Sequence, residues 1–174
     1  LLLLLLCSGA QAKAPLEYRI IAGDILEVRV WKEKELQDEV IVRPDGRLSF
    51  PLVGDVLAAG KTIKQLRQAL VEQLHRYIPD PVVMVTIKKL SGRVYVLGKV
   101  NKPGAFAINQ PTDVMQALSM AGGLNPYASA SSIIILHREN DKQVVFPFKY
   151  SDVEDGENLE QNRILKNGDV VVVP

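Results

Sequence analysis

The triplet Gly60-Lys61-Thr62 is the sharpest hint of enzymatic chemistry in the chain. A phosphate-binding loop needs the spacing GxxxxGK[ST], because the amides of a glycine-rich loop cradle the phosphates at a helix N-terminus. That spacing requires Gly at position 55, which holds Asp55; the nearest glycine is Gly54, and a carboxylate at this point repels phosphate. The triplet therefore reads as a tight turn followed by a helix N-cap. His75 and His137 have no Cys, Asp or Glu at a metal-ligand spacing. His75 falls on the polar side of a helical pattern, and His137, followed by Arg138 after an apolar run, reads as a strand end rather than a base. Ser129, Ser131 and Ser132 stand in no nucleophile motif. No catalytic residue, cofactor site or metal site is read from these patterns. Carboxylates that meet only in space, as glycosidase pairs do, leave no trace in local spacing.

Binding chemistry is better represented. Lys88, Lys89, Arg93, Lys99 and Lys102 crowd a short stretch. They form either a patch facing an acidic polymer, or a solvated face that keeps strand edges from pairing with other chains. The chain as a whole has no such bias: 21 Lys and Arg against 20 Asp and Glu give a net charge of +1, which argues against nucleic acid as a partner. The 174 residues are 47% hydrophobic and 24% charged, ordinary for a globular protein of one normal or two small domains.

Leu1 to Leu6 form an apolar run, far shorter than the roughly 20 residues that cross a bilayer. Small residues ending in Ala10-Gln11-Ala12 follow it. This is the order of a signal-peptide core and cleavage site. Residues 1–14 are read as a signal-peptide remnant cut after Ala12 or Ala14, and export to the periplasm or outer membrane follows. Cys7, the single cysteine, excludes an internal disulfide. It either ends the apolar run and is discarded, the favoured reading, or is a lipidation site. Leu6 departs from the small residue a lipoprotein carries there.

The elements that must position these residues come in two sets. Gly23-Asp24 is a turn signal leading into Ile25–Trp31, whose alternation predicts a half-buried strand. The charged run 32–39 reads as a loop. Segments 40–42 and 47–50 flank Pro44-Asp45-Gly46, a hairpin signal. Thr62 and Gln65 make a capping-box pattern before Ile63, Leu66, Leu70, Leu74 and Ile78, an apolar stripe at helical spacing stopped by Pro79 and Pro81. Val82–Lys89 is a strand. A second hairpin spans Val94 to Phe106, with Gly98, Pro103 and Gly104 shaping its turn. Thr112 caps a second helix that Gly122-Gly123 end. Ile133–Leu136 and Val144–Phe148 are strands, and 151–162 is an acidic surface loop. Asn167-Gly168-Asp169 then leads into Val170–Val173, an echo of residues 23–30 that reads as shared turn chemistry.

Laid out in this order, the chain resembles the bacterial polysaccharide export family. YRIIAGDILEVRVW, VRPDGRLSFPLVGDVLAAGKT and PDPVVMVTI resemble its export domain; VYVLGKVNKPGAF, AGGL, IIILHR and NGDVVVVP resemble a soluble-ligand-binding β-grasp (SLBB) domain. The resemblance implies an α+β fold of two small domains: an export-type α/β domain over 15–90 and a β-grasp domain over 91–174. It implies a role that is not enzymatic and uses no cofactor: part of a periplasmic and outer-membrane conduit for capsular or exopolysaccharide in a Gram-negative bacterium. The implied partners are copies of itself in a ring, an inner-membrane copolymerase and the polysaccharide. Membrane association would come through a lipid anchor or a C-terminal segment beyond Pro174. The alternative is a periplasmic saccharide-binding or scaffold module without a conduit.

Overall fold

The structure, a computed structural model, describes residues 17–139 and 142–174. Residues 1–14, with Cys7 and the cleavage and lipidation readings, lie outside them. The first domain contains β1 (Ile25–Val30), β2 (Glu33–Ile41), β3 (Arg47–Phe50), β4 (Gly54–Leu57), α1 (Ile63–Leu74) and β5 (Val83–Lys89). β1 is the middle strand of an antiparallel sheet ordered β2-β1-β5. Leu26, Val28 and Val30 point from it into a core shared with Leu66, Leu70 and Leu74 of α1. α1 begins with a complete capping box: the Gln65 amide donates to the Thr62 hydroxyl and the Thr62 amide to the Gln65 side chain.

Two expectations fail in this half. The charged run 32–39 is not a loop but most of β2. Its charged side chains are exposed because β2 is an edge strand, while Leu36 and Val40, an even number of residues apart on one face, are buried. The expected pairing of 40–42 with 47–50 is also absent from the sheets; β3 pairs with β4, Phe50 opposite Gly54. Pro44-Asp45-Gly46 still turns the chain, with Arg43 N–H donating to Arg47 O at 2.8 Å and Gly46 N–H to Arg43 O at 2.9 Å. Burial of Leu48, Phe50 and Val56 sets the β3–β4 register.

The second domain contains β6 (Arg93–Gly98), β7 (Gly104–Ala107), α2 (Val114–Met120), β8 (Ile133–Glu139), β9 (Lys142–Phe148), α3 (Tyr150–Glu154) and β10 (Val170–Val173). Its sheet is ordered β7-β6-β10-β8-β9, with β10 parallel to β6 and the other pairs antiparallel, the β-grasp arrangement. Val94, Val96, Ile133, Ile135, Val171 and Val173 share a core with Val114, Ala117 and Leu118 of α2. The cap of α2 is Asp113 rather than Thr112: the Asp113 carboxylate accepts from Gln116 N–H, and the Thr112 hydroxyl donates instead to Gln110 O. Residues 151–162 are not one loop; most of α3 and a 3₁₀ turn at Leu159–Gln161 lie there, anchored by the buried Val153.

The opposite face of this sheet is open. Tyr95, Val170, Leu136 and Val145 form one cross-strand row, and Leu97, Val172, Ile134 and Pro147 the next. Tyr95, Leu97 and Val145 are exposed. No helix of the described residues is long and apolar enough to cross a membrane.

Candidate functional site

Gly-Asp occurs before β1 and before β10, and both copies build the same turn. Asp24 N–H donates to Ile21 O and its carboxylate accepts from Ile21 N–H; Asp169 does the same with Lys166. Gly23 and Gly168 take φ of +92° and +89°, which only glycine adopts without strain. Each donates its N–H to a neighbouring segment, Gly23 to Val42 O and Gly168 to Arg93 O. Both carboxylates are buried, and buried carboxylates need several donors. The second oxygen of Asp24 receives the Ser91 amide (2.9 Å) and hydroxyl (3.1 Å), and Tyr18 donates to the first at 2.5 Å. Burial and then this carboxylate push the Tyr18 phenol above its ordinary range. Asp169 receives His137 Nδ1–H at 2.6 Å. His137 is thus not a strand end but an interior residue of β8, buried and held by a carboxylate.

These turns grip the link between the domains. Ser91 bonds to Asp24 through its amide, and its single hydroxyl proton is shared between that carboxylate (3.1 Å) and Ala22 O (2.9 Å). Gly92 O accepts from Ile108 N–H at 2.9 Å. Arg93 N–H donates to the Asn167 side chain and Arg93 O accepts from Gly168 N–H, both at 2.8 Å. Three consecutive residues are therefore fixed, one end by each Gly-Asp turn.

The phosphate-loop decoy is accounted for by hydrogen bonding. Gly60 N–H donates to Ile20 O and Lys61 N–H to Ala58 O, so these amides are already engaged, and Thr62 caps α1. Asp55 belongs instead to a surface network. Arg43 reaches both oxygens of Asp45 (3.2 and 2.7 Å) and both of Asp55 (3.1 and 2.8 Å), while the Ser49 hydroxyl donates to Asp55 at 2.6 Å. Arg43 holds both carboxyls below their usual range, with Arg47 N–H helping at Asp45 and Ser49 at Asp55. Both carboxylates raise the Arg43 guanidinium in turn.

The cation-rich stretch is spread along the molecule. Lys88 and Lys89 end β5 and Arg93 opens β6, whereas Lys99 and Lys102 follow the far end of β6. At about 3.3 Å per residue the strand puts roughly 20 Å between Arg93 and Lys99. Lys88 is paired with Glu27 at 3.3 Å. Among the predicted turn residues, Gly98 has φ of +93° against the Val173 carbonyl, while Pro103 and Gly104 continue the chain toward and into β7. Gly122 and Gly123 follow α2, Gly122 N–H donating to Ser119 O and Gly123 N–H to Leu118 O. Among the described residues no three His, Cys, Asp or Glu side chains converge as metal ligands.

The comparisons with known proteins agree with this architecture. The family model described as polysaccharide biosynthesis/export protein matches residues 12–88, and the SLBB domain model matches 92–173. The EPS I polysaccharide export outer membrane protein EpsA of Ralstonia nicotianae is 30% identical over 182 residues, covering 90% of this chain and 47% of that protein. The exopolysaccharide production protein ExoF of Rhizobium meliloti is 32% identical over 137 residues, 71% of this chain and 32% of its own. The polysialic acid transport protein KpsD of Escherichia coli is 30% identical over 136 residues, 76% of this chain and 24% of its own. The chain thus spans about half the length of the first relative, and less of the others. With an export-domain match followed by an SLBB match over nearly all of its described residues, the chain belongs to the polysaccharide biosynthesis/export protein family.

Proposed function

We propose that the protein is a component of a capsular or exopolysaccharide export machine, guiding a finished polymer without transforming it. The observation that carries this reading is the tandem itself: an export domain followed by a β-grasp domain, matched along 90% of the chain by a protein named for polysaccharide export. The division falls at residues 15–90 and 91–174. The working form is a homo-oligomeric ring in the periplasm and outer membrane, acting with an inner-membrane copolymerase. The open apolar face of the second sheet supports assembly, since a contiguous exposed patch of this kind marks a contact surface. A heterologous contact repeated by rotation closes into a ring. Lys89, Arg93, Lys99 and Lys102, spaced along the molecule, suit weak, salt-sensitive contacts with an acidic polymer in transit.

Deleting the gene is expected to leave polymer inside the cell, and complementation to restore secretion. Normal secretion by a deletion strain that carries no paralogue would sink the reading. Negative-stain micrographs of the mature protein test the ring separately.

A further inference from the structure

Trp31 is the only tryptophan in the chain and is 69% exposed, at the turn between β1 and β2. An indole is mostly covered in folded proteins, because burying so large a ring is favourable. Its surroundings are ordered. Leu26, Val28 and Val30 face the core, so Glu27 and Arg29 stand on the outer face of the sheet and Trp31 extends their row. Trp31 N–H donates to Val82 O at 2.9 Å, and Arg29 lies between Gln37 of β2 and Met84 of β5. Val82 and Met84 are themselves exposed. Glu27 fixes the polar part of the row, bonding Arg29 at 2.5 Å and Lys88 at 3.3 Å.

We propose that this face is a saccharide-stacking platform. One pyranose unit of a polysaccharide lays its C–H face on the Trp31 indole while its hydroxyls meet Arg29 and Gln37. The chemistry fits both halves of a sugar. The negative face of an aromatic ring attracts weakly positive C–H groups, and planar guanidinium and amide groups carry the donors and acceptors that hydroxyls need. A second copy of the chain is a poorer occupant, because interface cores exclude charged residues and this row is charged beside the indole. One stacked ring on an exposed indole is a weak contact, as a moving polymer requires. The proposal rests on the export reading and names where the cargo touches the first domain.

Because Trp31 is the sole tryptophan, its emission reports this position alone. The full-length mature protein is titrated with dextran, a neutral glucan, and with polygalacturonate, an acidic polymer; both present pyranose C–H faces. A saturable change in emission with at least one polymer is expected. In native gels containing that polymer, Trp31→Ala should bind about tenfold more weakly, the equivalent of one aromatic contact, and Trp31→Tyr should recover most of the retardation. Arg29→Ala keeps the reporter and should weaken the titration, and circular dichroism checks that each variant is folded. Unchanged emission with both polymers, or equal retardation of Trp31→Ala and wild type, overturns the proposal. So does an emission shift that depends on protein concentration without polymer, which assigns the face to a second copy. Failure of the export reading appears elsewhere, as normal secretion by the deletion strain.

Discussion

Asp24 and Asp169 show what one residue type does when the fold buries it. Each carboxylate closes its own turn and then takes donors from elsewhere, Ser91 at a separation of 67 residues and His137 at 32. The repeated Gly-Asp pair is visible in the sequence, but burial of its carboxylate is not, because aspartate is usually exposed and both partners are brought in by tertiary structure. For the same reason His137, read locally, looks like the end of a strand. Asp24→Ala leaves the Ile21 and Ser91 amides without their acceptor, and a loss of about 3 kcal/mol is expected. Urea unfolding checks this as a lower midpoint with an unchanged slope. Arg43 acts at the surface and makes a prediction about acid. The folded pKa values of Asp45 and Asp55 lie below their unfolded ones, so the network contributes stability above the ordinary carboxylate range and loses it as pH falls through the folded values. The melting temperature should therefore drop below about pH 4, and drop less in Arg43→Ala. Parallel acid limbs for the two proteins would count against it.

At the scale of elements, the start of α1 was legible, since its cap and apolar stripe point to one answer, but its end was not: the helix stops at Leu74, before the prolines, and Ile78 follows it outside the helix. β2 was not, because eight mostly charged residues match a loop by composition, and only the sheet reveals Leu36 and Val40 as its inward side. The acidic stretch 151–162 hid a helix turn for a similar reason, a single buried Val153 being too little periodicity to read. Gly98 and Gly104 look alike in the sequence as residues of one hairpin, and the structure separates them. A Cβ on Gly98 would stand 2.0 Å from the Val173 carbonyl oxygen, where β6 and β10 form the parallel pair at the middle of the sheet. A Cβ on Gly104 meets nothing within 4 Å, and its φ is not positive. Gly98→Ala should cost about 3 kcal/mol or more, through strain and a forced separation of the strands. Gly104→Ala should stay within about 0.5 kcal/mol. Thermal melts of the two variants side by side test the contrast, and equal losses would refute it.

For the molecule as a whole, the feature that matters is that the link between two separate cores is not slack. The three-residue connection 90–92 would ordinarily allow domain motion, yet Ser91 is tied to the Asp24 turn, Gly92 to Ile108, and Arg93 at the start of β6 to the Asp169 turn. In the ring proposed above, such a joint would keep the angle between the two parts the same in every subunit and so preserve the bore. Trypsin can measure the joint directly, since Lys89 and Arg93 flank it and are exposed. Cleavage there requires local opening that breaks these bonds. Ser91→Ala combined with Asn167→Ala removes the Ser91 hydroxyl bonds and the acceptor of Arg93 N–H, while leaving both cores untouched. At about 1 kcal/mol per bond removed, opening should become at least tenfold easier, and the chain should separate correspondingly faster into two fragments that each stay folded. Cutting at the wild-type rate would mean that the clasp does not hold the domains together, and the rigidity that the proposed ring calls for would then have to come from contacts between subunits.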